Sequence, residues 1–363
     1  MLKLTKVKTP NGLMWNGHPD AIQNITNGII RDDRAFHITI NDWVSRYNNQ
    51  ATYDLQRTGA WTHGTSETVI QEAPRRLREQ GWDKLRRALS ATVRYWMMRA
   101  FLDATTRGDH AFAVELLKDT LAVITWGQHI YHDVPVDDKG VIFTDTFKRG
   151  VTNLYLDQFL QAHSDDPGPN SNFPLEDLLA GAEQMLREID ANPPPAGAMQ
   201  ADPAFTLSFY SYPAGRAFSI KGFYHARMAA RCMHDTAAAE DHFRKSAGCY
   251  LQAAGRLPED DEQHADFISC ALEYYFKCGN PVEETLELLK RLRIAIPKMK
   301  RIWSESGQAK RGFMDRVFAQ TLETEKKLLD AVASGQFSLD DKVLPDWTVL
   351  EHLRTSNRAD IYQ

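Results

Sequence analysis

Ala217-Phe218-Ser219-Ile220-Lys221-Gly222-Phe223-Tyr224-His225-Ala226-Arg227-Met228-Ala229-Ala230-Arg231-Cys232-Met233 opens the stretch that decides the fold. Small residues and aromatics alternate along it, with Phe218, Phe223, Ala226, Ala229 and Ala230 as packing candidates. The turn His234-Asp235-Thr236 follows, and the Asp235 carboxylate can cap the next helix. That helix carries Ala238, Phe243, Ala247, Tyr250 and Leu251, close to the i, i+4, i+7 spacing of one buried face. Leu257-Pro258 and an acidic run end it. A third helix holds Phe267, Cys270, Ala271, Tyr274 and Tyr275 and stops at Cys278-Gly279, where glycine can take the left-handed closing conformation. In the fourth, Asn280 reads as N-cap, Pro281 as the first helical residue and Glu283 as the capping-box partner. Leu286, Leu289, Leu292 and Ile296 form its stripe. From Arg216 to Ile296 the chain thus reads as two consecutive helical hairpins.

The small-aromatic-small pattern around a turned hairpin resembles tetratricopeptide repeats. The repeat places an alanine five residues past its turn glycine and a bulky residue four beyond that. Gly108, Ala113 and Leu117 match this spacing. At Gly279, Glu284 replaces the alanine while Leu288 keeps the bulky position; Ala239 and Phe243 keep the step but lack the glycine. The resemblance covers about half the chain in three degenerate units. It implies an all-α stack of antiparallel helix pairs with a concave surface that holds peptides, and it brings no catalytic residues.

The rest of the chain divides around these hairpins. Residues 1–66 carry Asn11-Gly12, Asn16-Gly17 and Asn27-Gly28 turn pairs, a strand-like Phe36 to Ile40, and Trp15, Trp43 and Trp61. They predict an irregular N-terminal arm packed on the helices. Residues 67–190 read as helical hairpins, beginning with a basic helix to Arg107 in which Arg75, Arg86, Arg87 and Arg94 lie among Leu85, Leu89 and Val93. Three consecutive prolines, Pro193 to Pro195, open a stiff linker and aromatic loop over 191–215. Repeat-like hairpins fill 216–333, and 334–363 form a tail with Trp347 and Leu350.

Composition narrows the function classes. The 363 residues carry a net charge of −5, which argues against a general nucleic-acid binder. No apolar run is long enough to span a bilayer, and Met1 to Lys6 lack a secretory core, so a cytoplasmic chain is expected. The four cysteines, Cys232, Cys249, Cys270 and Cys278, form no C-x-x-C pair and read as buried apolar residues. Phosphate-loop, G-x-G-x-x-G, H-E-x-x-H and G-x-S-x-G motifs are absent, and no cofactor is called for.

Three constellations could still carry chemistry. His129 and His132, spaced i, i+3, with Asp133 beside them, offer two metal ligands and an orienting carboxylate; a helix C-terminus meeting its dipole is the plainer reading. The arm gathers His18, Asp20, Asp32, Asp33, Asp42 and His63, which loops can turn into acid–base pairs. Arg291, Lys298 and Arg301 head a basic segment that would attract an acidic ligand, unless the acidic run at Glu259 neutralises it. The leading expectation is a helical-repeat protein binding a peptide, protein or small ligand on its concave face. The alternative is an enzyme with an all-helical pocket between the helices and the N-terminal arm, with His129, His132, Tyr210 and Tyr212 as catalytic candidates.

Overall fold

The computed structural model describes residues 5–9, 12–16, 18, 20–38, 40–61, 63–168, 170–306, 309 and 312–343. Trp347, Leu350, Gly307, Lys310 and Arg311 lie outside these, as does the side chain of Trp15. The fold is all-α with neighbouring helices packed in pairs. The chain divides into two compact units, residues 1–162 and 163–363.

In unit 1, strands β1 (Thr5–Thr9) and β2 (Gly12–Asn16) form an antiparallel hairpin. Helices α1 (Ala21–Arg31) and α2 (Trp43–Thr58) follow. Residues 1–66 thus hold two helices and a strand hairpin joined by irregular segments. Asn27-Gly28 reads as a turn pair, yet it sits inside α1, whose Ala21, Ile22, Ile29 and Ile30 bury one face. Packing of that face outweighs the roughly 1 kcal/mol that a helical glycine costs. Trp43 and Trp61 are buried.

Helix α3 (Ser66–Arg107) is broken at Gly81, whose φ of 73° and ψ of 176° leave the helical region. Beyond the break Leu85, Leu89, Val93 and Met97 repeat every four residues and are almost fully buried. Gly108, at φ 68°, ends the helix, and Asp109 accepts from the Phe112 amide at 3.1 Å to start α4 (His110–Ile130). This two-residue turn folds α4 back on α3, bringing Ala113, Val114, Leu117 and Ile124 to the same core. A one-turn helix α5 (Val136–Lys139) and a short turn at Val141–Phe143 lead into α6 (Asp145–Asp165).

Unit 2 contains α7 (Leu175–Ala191), the short α8 (Ala198–Ala201) and α9 (Pro203–Thr206), then α10 (Tyr212–Arg231), α11 (Thr236–Ala254), α12 (Glu262–Cys278), α13 (Val282–Trp303) and α14 (Phe313–Ala333). The expected aromatic loop is thus helical. Asp202 accepts from the Phe205 amide at 2.9 Å, Pro203 occupies the first turn, and a π turn at Leu207–Ser211 joins α9 to α10. The wider turn comes just before Pro213, whose ring would otherwise crowd the carbonyl one helical turn earlier.

Consecutive helices pack on one another from α10 to α14, and α7 also lies against α10. Helices α10 and α11 approach closely because Gly222 has no side chain: a Cβ there would lie 2.8 Å from the Tyr250 ring. Ser246 donates to the Gly222 carbonyl at 2.8 Å. Tyr250 in turn stacks on Tyr274, and Tyr274 on Phe243. Asp235 caps α11 through the Ala238 amide, as read from the sequence, whereas Gly279 has a positive φ of 73° but a ψ of 130°, outside the left-handed helical conformation expected there. Asn280 does something else. Its buried amide donates to Thr285 Oγ1 at 3.2 Å and its backbone pairs with Val343, so β3 (Asn280–Pro281) joins β4 (Lys342–Val343) and Pro281 is the N-cap. Strand pairing with the chain's far end replaces the capping box.

Candidate functional site

Unit 1 holds a pocket of about 520 Å³. Asp20, Ile22 and Gln23 supply one wall from the start of α1; Ala51, Asp54, Leu55, Arg57 and Thr58 supply another from α2. From α3 come Arg86, Arg87, Ser90, Ala91, Arg94 and Tyr95, spaced so that one helical face looks into the hollow. Val136, Asp137, Gly140, Val141 and Ile142 close the remaining side. Arg86 holds this last segment by donating to the Asp137 carbonyl.

Arg94 sets the electrostatics. Only 2% exposed, it donates to Ser90 Oγ at 3.2 Å, Gln23 O at 3.2 Å, Thr26 Oγ1 at 2.6 Å and Asn27 Oδ1 at 2.8 Å, which ties α1 to α3. Its guanidinium also lies 5.0 Å from the Phe147 ring centre. Every partner is neutral, and Nη2 has none. Burial without a carboxylate lowers its pKa to about 10, so it stays charged at neutral pH. Its neighbours differ: Arg86 and Arg87 both reach the Asp83 carboxylate, at 3.5 and 2.9 Å.

Asp54 is the second unusual group. Burial pushes its carboxyl up to about 6, and Asp20 adds to this; the Gln50 amide, 3.2 Å from both oxygens, and the Arg57 charge pull the other way. A carboxyl that titrates near neutrality inside a pocket can both give and take a proton.

The sequence candidates are scattered. His132 lies beyond the end of α4, so the two histidines do not share a helix face: its Nδ1 contacts the His129 carbonyl at 3.0 Å and its Nε2 the Asp133 carboxylate at 2.8 Å, all exposed. Backbone that leaves the helix at Tyr131 breaks the i, i+3 geometry. Among the described residues no group of three or more His, Cys, Asp or Glu side chains is placed to hold a metal ion. Tyr210 and Tyr212 belong to unit 2, where the Tyr210 ring packs 6.2 Å from Phe205 and Tyr212 packs against the core. Of the basic segment, Lys298 pairs with Glu259, Arg293 with Glu325 and Lys300 with Asp315. Neither Arg291, Lys298 nor Arg301 lines the shallower 680 Å³ hollow of unit 2. Of the arm's constellation, Asp20 does line the unit 1 pocket.

Sequence reasoning missed Asp54, Gln50 and Ser90, and gave Arg94 no special place among the arginines of α3. A signal existed: Arg94 directly follows Val93 in the apolar stripe, on the side from which α1 approaches.

One further pair stands in unit 2. His225 Nδ1 and His242 Nδ1 are 3.1 Å apart, one donating and the other accepting. Burial lowers the His225 pKa, and His242, Lys245 and Lys221 lower it further against the pull of Asp241.

Compared with known protein families, curated proteins and solved structures, the chain matches none. Among the described residues no helix is long and apolar enough to cross a membrane.

Proposed function

We propose that this chain holds a small organic ligand in the unit 1 pocket, between α1, α2 and α3. The observation that carries the reading is the buried guanidinium of Arg94, charged and without a carboxylate partner, in the lining of a 520 Å³ hollow. Hollows of this size accept metabolite-sized molecules, and a few polar groups in an apolar lining fix their orientation. Filling the pocket tests it: Ala91→Trp is expected to abolish binding of any small molecule that raises the melting temperature of the full chain, with the circular dichroism spectrum unchanged. Ligand binding that survives the filled pocket would place the site elsewhere.

Asp54 favours a second reading, in which the pocket is the site of an enzyme and this carboxyl moves the proton. Turnover unaltered in Asp54→Asn would dispose of it. For unit 2 the proposal is a tetratricopeptide-like stack with a protein or peptide on its concave face, supported by the consecutive packing of α10 to α13. Four free thiols, three of them buried, fit a reducing compartment such as the cytoplasm.

A further inference from the structure

Charge around the pocket is balanced in number but not in how it is partnered. Arg86 and Arg87 share Asp83, and Arg57 faces Asp54. Asp20 and Asp54 would repel added negative charge. Asp137 also lines the hollow, so Arg57, Arg86, Arg87 and Arg94 stand against Asp20, Asp54, Asp83 and Asp137, four against four; Arg94 differs in that none of its bonds goes to a carboxylate.

Ser90 stands between that charge and the hollow. Its Oγ accepts from Arg94 Nε at 3.2 Å. The side chain is partly exposed and lines the pocket, and its own hydroxyl proton meets no acceptor among the described residues. A hydroxyl that accepts from a guanidinium is polarised into a better donor, because hydrogen bonds in a chain reinforce one another. Apolar side chains also line the hollow. Ile22, Leu55 and Ile142 are buried in the walls, whereas Val136 and Val141 are 45% and 52% exposed. Two exposed valines in the lining leave apolar area that a ligand would cover.

We propose that the pocket selects a monoanionic organic acid, its carboxylate accepting the Ser90 hydroxyl proton in front of Arg94 and its hydrocarbon body lying against Ile22, Leu55, Val141 and Ile142. This rests on the reading of the pocket as a ligand site. One guanidinium without a carboxylate partner matches one carboxylate; a phosphate dianion would bring a second negative charge towards Asp20 and Asp54. A purely apolar molecule would leave the guanidinium without a carboxylate, as before.

Titration calorimetry of the full chain at pH 7.5 with four probes of equal chain length tests this: octanoate, octanol, octyl phosphate and octylamine. Octanoate is expected to bind tightest, by about tenfold or more over octanol, as a hydrogen bond to a charged group implies. Ser90→Ala, which leaves the bonds from Arg94 to α1 in place, is expected to erase that preference. Octanol binding as tightly as octanoate, or a preference that survives in Ser90→Ala, would overturn the acid assignment while leaving the pocket a ligand site. So would tighter binding of octyl phosphate or octylamine. Failure of all four probes to bind at millimolar concentration would overturn the acid assignment and the small-ligand reading together.

Discussion

Replacing Asp54 by asparagine should stabilise the protein, and by an amount that depends on pH. In the folded chain burial raises this carboxyl from its ordinary 3.8 to about 6. The folded state therefore holds the proton more tightly than the unfolded state does, and folding takes up a proton between those two values. Stability falls as pH rises across that window and stays lower above it. The interval between 3.8 and about 6, at about 1.4 kcal/mol per pH unit, corresponds to about 3 kcal/mol at pH 8. Water in the pocket screens the carboxylate, so this is an upper bound. Asparagine keeps the size of the side chain and one oxygen for the Gln50 amide, which now sits 3.2 Å from both carboxylate oxygens. Urea unfolding of both proteins at pH 4, 5, 6, 7 and 8 reads the difference. The variant should gain about 1–3 kcal/mol at pH 8 and converge on the parent near pH 4. A difference of constant size across the series, or a variant less stable at pH 8, would refute the assignment of a buried, destabilising charge.

Gly222→Ala sets two effects against each other. Alanine gains about 1 kcal/mol of helix propensity, but its Cβ would stand 2.8 Å from a Tyr250 ring fixed by Tyr274 and Phe267. Overpacking of about 1–3 kcal/mol should win, seen as a lower urea midpoint; a higher midpoint would mean that α10 and α11 have room to separate. At the histidine pair the sign runs opposite to Asp54. His225 is held below its ordinary 6.5, first by burial and then by His242, so its contribution to stability is complete above pH 6.5 and is lost as pH falls through its folded value. His225→Gln should flatten the fall in thermal stability between pH 7 and 5; equal slopes in the two proteins would acquit this residue.

Helices with a one-sided stripe were readable in the chain itself. The stripe Leu286, Leu289, Leu292 and Ile296 and the cap at Asp235 are local facts, and local facts survive folding. What the chain alone could not show depends on distant partners. Asn280 looks like an N-cap until Val343, some sixty residues on, pairs with it. Residues 191–215 read as a linker and loop because Pro193 to Pro195 open them, whereas from Pro203 on a first-turn proline and a π turn carry the chain into α10. The site was legible only in outline. Asp20 stood out in the arm, but Asp54 looks ordinary on a polar helix until its burial against Gln50 is known. His129 and His132 drew attention by spacing, and the end of α4 at Ile130 removed the geometry that made the spacing matter.

A π turn is an α-helix carrying one residue too many. The surplus at Leu207–Ser211 makes that segment a place where length change can be absorbed. Losing one residue there would draw the turn back into α register and swing Phe205 by about 100° around the axis, while Ala217, Ile220, Ala226 and Ala229 kept their places in the buried face of α10. The same loss within α10 would rotate half of that face out of the core. Variation in the length of this chain should therefore be tolerated at the π turn and selected against only a few residues further on.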